Sequence, residues 1–548
     1  MPEHSLDGIQ ITQTPQAEQK IARDRAQLTA FVGRTLRGPL NTPLIVRSFA
    51  DFQRIFGGLW QPSPLSYAVE HFFEQGGRQA VIVRIANQAA PATVSLRCER
   101  ESLVLEALAP GTREFLRASV DYDNIESTDP LRFNLVVQRV RAPGSERIEE
   151  QEIFRNVSID PLADRYVATS LLESGLVRVR GSVPGTRPSA TFMPGTNLPV
   201  GYVSSNPDGD DGRPLTDYDI IGSAARRTGL FALAALDDLA FVYVPPLSRS
   251  TEVGASTLLV AAQFCREHHA LLIVDPPVGW ETPAAALQGL KDLDFYSDSA
   301  VMFFPRLACM DRLRGRAEVF GNGGAVAGML SRADDVTALV PIAPEAEPLL
   351  RAGARFVRDV SPADRRRLAQ AGINVLLTVR GTDRIRAPLR TLANGASASS
   401  DGSYLTPRRF VQSVIRAIEH GTRWAVVRPH DPSTQQRVTQ QVAEFLTELR
   451  DAGAFRSAVP DTAFLVICDE RINDPLDDPG ALHLLVQFAA LHTGDYHSHM
   501  ITHTAKGSTV RPVVINRLEA SLRLADDLER EITIRVDQEN DFIRVLAG

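Results

Sequence analysis

The sequence predicts a multi-domain α/β protein in which mixed sheets are covered by helices and a β-sandwich-like stretch interrupts the α/β body. Three observations carry this reading. An apolar strand at 29–32 ends at Gly33, and a basic loop, a Phe-rich helical stretch and a second apolar run at 80–84 follow it. From 91 to 200 the pattern changes to short alternating runs separated by turn residues, and from 215 to 390 continuous apolar runs closed by prolines return.

At 548 residues the chain exceeds what one hydrophobic core supports, and about two to four domains are expected. Its 44% apolar and 23% charged residues are those of a globular protein with sizeable cores. The net charge of −7 argues against nucleic acid as the main partner, because phosphate binding needs a basic face. Cys98, Cys265, Cys309 and Cys468 show no paired spacing, which fits reduced thiols in a reducing compartment. The N-terminal residues lack a basic stretch leading into an apolar one, so no secretory signal is expected. No apolar run approaches the ~18 residues of a membrane span.

Each element follows from its own pattern. Residues 1–28 read as a polar arm with one alternating segment, Ile9-Gln10-Ile11-Thr12, that has no hairpin partner nearby in sequence. Such a segment is suited to adding to a distant or foreign sheet edge. Residues 29–90 read as strand, loop, helix and strand, the helix at 65–75 stopping at Gly76-Gly77. Alternation at 93–97, 103–105, 133–138 and 176–180, with turns at Pro110-Gly111 and Pro143-Gly144, predicts the β-rich stretch. A linker at 204–214 closes it. Strands at 239–244, 270–274 and 300–304 and a helix at 258–268 return the chain to a mostly parallel sheet. Helices at 407–420 and 435–451 and strands at 424–427 and 464–468 form a C-terminal unit. Alternation at 532–536 ends the chain. The expected division is an arm (1–28), a central α/β domain (29–90 and 215–395), an inserted β-rich domain with its linker (91–214), a C-terminal α/β domain (396–515) and a C-terminal extension (516–548).

Three constellations invite a chemical reading. The run from Gly321 to Gly328 lacks the Lys-Ser/Thr of a phosphate loop, and the charged residues 312–318 before it do not read as the buried strand that precedes a GxGxxG loop, so close packing at a helix start is expected. Asp275 ends a buried strand, where α/β enzymes place catalytic groups, but Pro276 and Pro277 point to a braced turn. His492, His497, His499 and His503 fall within twelve residues, and the last three share one strand face. Imidazoles so placed reach a metal or sense pH, yet the segment reads as an ordinary strand. No nucleophile elbow, HExxH motif or supported carboxylate pair occurs. The reading therefore assigns no catalytic residue, no metal, no cofactor and no enzyme activity. Its alternatives are an α/β enzyme built on Asp275 and the Gly321–Gly328 loop, or a static coat or surface-layer protein.

The motif order resembles that of contractile tail sheath proteins. The opening stretch from Thr29 through Pro39 begins it, with Ile55-Phe56-Gly57 after. Phe154 through Pro161 with Arg165-Tyr166-Val167, Thr228 through Leu233 with Val244-Pro245-Pro246, and Leu272 through Pro277 follow in the family's sequence. So do Gly324 through Gly328 with Arg332-Ala333-Asp334, Gly372-Ile373-Asn374, Arg408-Arg409, Gly453-Ala454-Phe455 and Val466 through Asp469. The chain departs from the family at 337–344, where only Ala343-Pro344 of a characteristic stretch remains. It departs again at Tyr404, where an aromatic pair is usual, and in continuing well past 503.

The resemblance implies a subunit that stacks in six-fold rings into a helical tube around an inner tail tube and contracts without ATP. It implies terminal arms that donate strands to neighbours, placed here at Ile9 and Ile11 and, in the C-terminal part, at Tyr496, His497, Met500, Ile532, Ile534 and Val536. Whether the strand at 496–503 or the one at 532–536 is exchanged stays open. The β-rich insertion is expected to face outward. Implied partners are further copies of the chain, the inner tube protein, and baseplate and terminator proteins, with no nucleic acid and no membrane insertion. The implied setting is the bacterial cytoplasm, then a phage tail or contractile injection particle.

Overall fold

The computed structural model describes residues 20–21, 28–193, 201–334, 350–351, 355–376, 389–393, 404–455, 463–473, 480–489, 496–513, 532–537 and 542–547. These fall into two compact units, one drawn from residues between 26 and 398 and the other from Lys20, Ile21 and the described residues after 403.

The first unit opens with β1 (Leu28–Gly33), all six residues of which are buried. β2 (Leu44–Val46), α1 (Phe49–Phe56), α2 (Pro64–Glu74) and β3 (Ala80–Arg84) follow, and β3 lies parallel to β1 as the strand–helix–strand reading predicts. Both helices start on a serine: Ser48 accepts from the Asp51 amide and Ser63 from the Ser66 amide, satisfying donors that a first turn leaves free. The carbonyls at the end of α2 are taken by arginines, Arg332 donating to Gln75 (3.0 Å) and Arg351 to Glu74 (3.2 Å).

β4 (Thr93–Arg97), β5 (Ser102–Ala107), β6 (Leu116–Asp121), β7 (Arg132–Val140), β8 (Ile148–Ser158), α3 (Val167–Ser170), β9 (Val177–Val179) and β10 (Val203–Ser204) come next. They make two antiparallel sheets, ordered β4-β5-β9 and β10-β6-β7-β8. Val94, Leu103 and Leu105 of one and Ala118, Phe133, Leu135 and Val137 of the other are fully buried in a shared core. Alternation along each strand produces this directly, since every second residue points inward. The stretch 204–214 is more than a linker. Asp208 accepts from the amide and hydroxyl of Thr93 (2.9 and 2.5 Å), and Asp211 from those of Thr112 (2.8 and 2.9 Å). Short carboxylates satisfy turn and strand-end donors, so an acidic segment that looks solvated is pinned to the sheet.

The body then resumes with α4 (Asp217–Ile221), β11 (Leu239–Tyr243), α5 (Ala255–Glu267), β12 (Leu271–Val274), α6 (Pro283–Leu293), β13 (Ala300–Phe304), β14 (Leu307–Asp311), β15 (Arg316–Phe320), α7 (Gly323–Asp334), β16 (Arg355–Phe356), α8 (Pro362–Gln370) and β17 (Ile373–Val375). A seven-stranded sheet runs β17-β13-β12-β11-β1-β3-β2 and is parallel except at β2. On one face Ala30, Val83, Val242, Leu272 and Met302 pack with Ala261 and Phe264 of α5, Leu290 of α6 and Leu368 of α8. On the other, Phe31 meets Phe72 of α2 and Tyr243 edge-on, at ring separations of 5.4 and 5.8 Å. Cover on both faces explains the continuous apolar runs. Of the charged residues 312–318 before the glycine run, Arg316 to Glu318 enter a strand, though as one arm of an antiparallel hairpin and not as the strand a phosphate loop follows. β15 pairs with β14, and its charged positions alternate with Ala317 and Val319.

In the second unit α9 (Leu405–Thr422) and α10 (Pro432–Asp451) lay their apolar sides on a sheet ordered β18-β19-β20-β21, formed by β18 (Phe464–Ile467), β19 (Ala481–Ala489), β20 (Tyr496–Thr504) and β21 (Gly507–Pro512). The strand expected at 424–427 is instead a 3-10 turn, Arg423–Val427. Ala425 is fully buried while Val427 is 84% exposed. A strand would put both on one face, so the period of burial is not two. A last hairpin joins β22 (Ile532–Asp537) to β23 (Phe542–Ala547). Among the described residues no helix is long and apolar enough to cross a membrane.

A Cβ at Gly324 would strike the Ala68 carbonyl in α2, and one at Gly328 the Phe72 carbonyl, neither of which can turn aside. Gly324→Ala is expected to destabilise the first unit by about 2–3 kcal/mol in thermal unfolding. Gly279→Ala, which meets nothing within 4 Å, is expected to change it by less than about 0.5 kcal/mol. Equal midpoints would show that the two helices separate freely.

Candidate assembly surfaces

Asp275 and the glycine run meet at the end of β12 and the start of α7. The carboxylate accepts from the Tyr243 hydroxyl (2.5 Å) and from the Gly323 amide (2.8 Å). Both oxygens are thus engaged, one bracing a strand and the other starting a helix. Burial first, then the neighbouring carboxylate, drives the Tyr243 hydroxyl well above its ordinary pKa, so it stays a donor. A Cβ at Gly321 would meet Asp275 and one at Gly323 the Tyr243 ring. The run is spent on close packing and holds no phosphate cradle.

A second polar cluster escaped the sequence reading. Arg249 pairs with Asp311 (2.8 Å) and Glu318, and its guanidinium lies over the rings of Tyr67 and Phe320, 4.7 and 5.0 Å from their centroids. Asp311 is fully buried and also accepts from the Tyr67 hydroxyl (3.1 Å). Desolvation opposes its charge, but the amides of Leu313 and Arg314, the Tyr67 hydroxyl and Arg249 hold it below the usual carboxylate range. Burial and then Asp311 push the Tyr67 hydroxyl up to about 12. The cluster fastens β14 and β15 to α2. The only sequence signal for it is alternation within 316–320.

Of the expected arm residues, Ile9 and Ile11 lie outside the described residues. Tyr496, His497 and Met500 fall in β20, which is paired on both sides, with β19 and β21. Ile532, Ile534 and Val536 fall in β22, paired with β23. β18 stands at the end of its sheet, paired with β19, and its Phe464, Leu465 and Val466 are half-buried. Of the histidines, His492 lies outside the described residues. His503 is fully buried, its ring nitrogens 2.8 Å from the Thr422 hydroxyl and 2.7 Å from that of Ser508. Among the described residues no group of three or more His, Cys, Asp or Glu is placed to hold a metal.

No protein-family model matches the sequence, and no curated relative matches it. Solved structures do. The sheath tail protein Lin1278 from Listeria innocua superposes with a TM-score of 0.58 at 13% identity, over 89% of this chain and 97% of its own. The helical sheath of the anti-feeding prophage in its contracted state gives a TM-score of 0.50 at 14% identity, over 90% and 98%. The chain has the tail sheath fold.

Within this sheath fold the strand-end aspartate and the glycine run serve packing. The buried imidazole of His503 sets a pH dependence. Desolvation first, then Arg423 and His430, lowers its pKa from 6.5 to about 4. Between those values the unfolded chain binds a proton that the folded one does not. Stability therefore falls as pH drops through the window, by about 2 kcal/mol at about pH 5. His503→Gln is expected to flatten this loss in the second unit. His71, lowered to about 4 by burial in the first unit, keeps its own slope. Thermal unfolding from about pH 7.5 to about 4.5 checks this, and an unchanged slope in the variant removes His503 as its source.

Proposed function

We propose that this chain is the structural subunit of a contractile tail sheath. It polymerises into a six-fold helical tube around an inner tail tube and shortens to drive that tube through a target envelope. One observation carries the reading: the sheath fold is kept over nearly the whole chain, 90% of it against a sheath solved in its contracted state. The engaged carboxylate at Asp275 supports a structural role over the α/β enzyme alternative, since both its oxygens are taken up in bracing Tyr243 and Gly323.

In the proposed assembly a terminal arm adds a strand to a neighbour's open edge. β18 is the candidate edge, because it stands at the end of its sheet and carries apolar, half-buried side chains at Leu465 and Val466. The arm carrying Ile9 and Ile11 alternates as such a strand requires. The strands at 496–503 and 532–536 are the C-terminal candidates. Subunits shift about these joins during contraction. Inner tube, baseplate and terminator proteins complete the particle, assembled in a bacterial cytoplasm. A static coat would use the same edges but form polymers of one geometry only.

The overexpressed protein is expected to form hollow tubes with six-fold end views in negative-stain electron microscopy. Deleting residues 1–20 is expected to leave a folded protein that forms no tubes. The deletion costs little folding stability, since the Lys20–Glu448 pair is exposed and the buried Ile21, packed on Gly421, is retained. Normal tubes from the truncated chain would remove the arm from the mechanism, and small closed rings from the full chain under all conditions would favour the enzyme.

A further inference from the structure

We propose that Arg34, Arg37 and Arg84 form a clasp that sets the angle between the seven-stranded body and the two-sheet sandwich of β4 to β10, and that the sandwich swings as a folded piece once the clasp is undone. The joint belongs to the single chain and holds whether or not the chain polymerises.

The two pieces have separate cores. Val83, Val242 and Leu272 help to fill one, Val94, Phe133 and Leu135 the other, and the two clusters have no residue in common. The chain leaves β3 for the sandwich through 85–92 and returns through 205–214. These connectors lie antiparallel: Ala90 and Asp210 exchange both backbone hydrogen bonds (3.0 and 2.9 Å), and the Arg213 amide donates to the Asn87 carbonyl (2.8 Å). Asp208 and Asp211 fasten the returning connector to the sandwich through Thr93 and Thr112, so any bend falls at the body end. A two-stranded ribbon is marginal by itself and leaves the angle to other contacts.

Three arginines supply them, two in the loop after β1 and one at the last position of β3. Arg84 donates to the Gly38 carbonyl on its own side and to the Pro110 carbonyl across the joint (2.5 and 2.6 Å). Arg37 donates to the Arg54 carbonyl on its own side (2.8 Å) and pairs with Glu149 of β8 across it (2.7 Å). Arg34 lies over the Trp60 ring, 4.8 Å from its centroid, and donates to the Asp211 and Gly212 carbonyls (2.9 and 3.3 Å). Each guanidinium spans the joint, a task that its planar fork of donors suits.

The joint is polar and incompletely satisfied. Nε of Arg37, Nε of Arg84 and Oε2 of Glu114 are buried with no hydrogen-bond partner among the described residues. Opening the joint gives these atoms water, which offsets part of the bonds lost. Domains joined by a polar contact move relative to each other unless something pins them, and here the pins are these side chains. In the proposed sheath a closed clasp makes the sandwich travel with the body as the subunit turns.

The test reads the angle in the full chain. Ser127→Cys, on the turn between β6 and β7, and Gly279→Cys, between β12 and α6, are exposed positions for nitroxide labels. Cys309→Ser removes the native thiol that is partly exposed. Labelled chain is diluted into an excess of unlabelled chain, so that pulsed electron paramagnetic resonance reads distances within one molecule. The clasped chain is expected to give one narrow distance. Arg34→Gln with Arg37→Gln is expected to broaden it about two-fold, with unchanged circular dichroism. Adding Arg84→Met is expected to broaden it further; should that triple variant fail to fold, the double variant decides. An unbroadened distance in the folded double variant overturns the proposal. So does a broad distance with all three arginines present, or loss of the strand signal in the double variant, which would make the sandwich no separable piece.

Discussion

The close approach of α7 to α2 is the constraint on which the first unit depends. Gly324 and Gly328 bring the two backbones so near that a single methyl would strike a carbonyl oxygen of α2. α7 can sit there only because Asp275 receives its first amide, and Asp275 can do so only because β12 ends against Tyr243. The second face of the large sheet is closed by this contact, with Phe72 and Tyr243 edge-on to Phe31. Packing of this kind has no soft direction: interiors at near-crystalline density move as blocks or not at all. That property is what a subunit needs if it is to turn as a body while its joints bend.

Charge follows the same logic. Arg84 is buried at the end of β3, where burial lowers its pKa to about 10, and its guanidinium donates to the Gly38 and Pro110 carbonyls (2.5 and 2.6 Å). A carbonyl-bound arginine ties β3 to the loops on either side of it without needing a counter-ion at contact distance. Arg249 does comparable work for the β14–β15 hairpin through Asp311 and Glu318. Both arginines act inward and hold a strand in place. The exposed arginines around Met310 and Val319 differ in facing solvent.

Much of this architecture was legible in the sequence, and the gaps have physical causes. Continuous apolar runs such as 80–84 and 270–274 announced parallel strands covered on both faces, and the double prolines after Asp275 announced a braced turn. Residues 424–427 misled, because a short apolar run has no period and only burial distinguishes a helical turn from a strand. β15 was hidden because its charges are neutralised in ion pairs, Glu318 with Arg314, Arg316 and the distant Arg249, that leave no apolar period to read. The acidic stretch 204–214 looked like a linker for a similar reason: its carboxylates bind Thr93 and Thr112, about a hundred residues back. Patterns local to the chain were readable; polar contacts between distant segments were not.

The energetics of strand addition bear on how subunits would hold together in the proposed assembly. A strand added along the four residues of β18 makes about four backbone hydrogen bonds, worth about 1 kcal/mol each after exchange with water. Fixing one molecule on another costs at least about 4 kcal/mol and commonly far more. In the proposed assembly, strand addition at β18 would set register and direction but could not by itself hold two subunits. The remainder must come from apolar area at faces already shaped for contact, where each large side chain contributes about 1.5–3 kcal/mol on full burial. A weak, directional join beside a stronger but less directional apolar contact lets one loosen while the other holds. Such an arrangement permits subunits to shift against each other without parting.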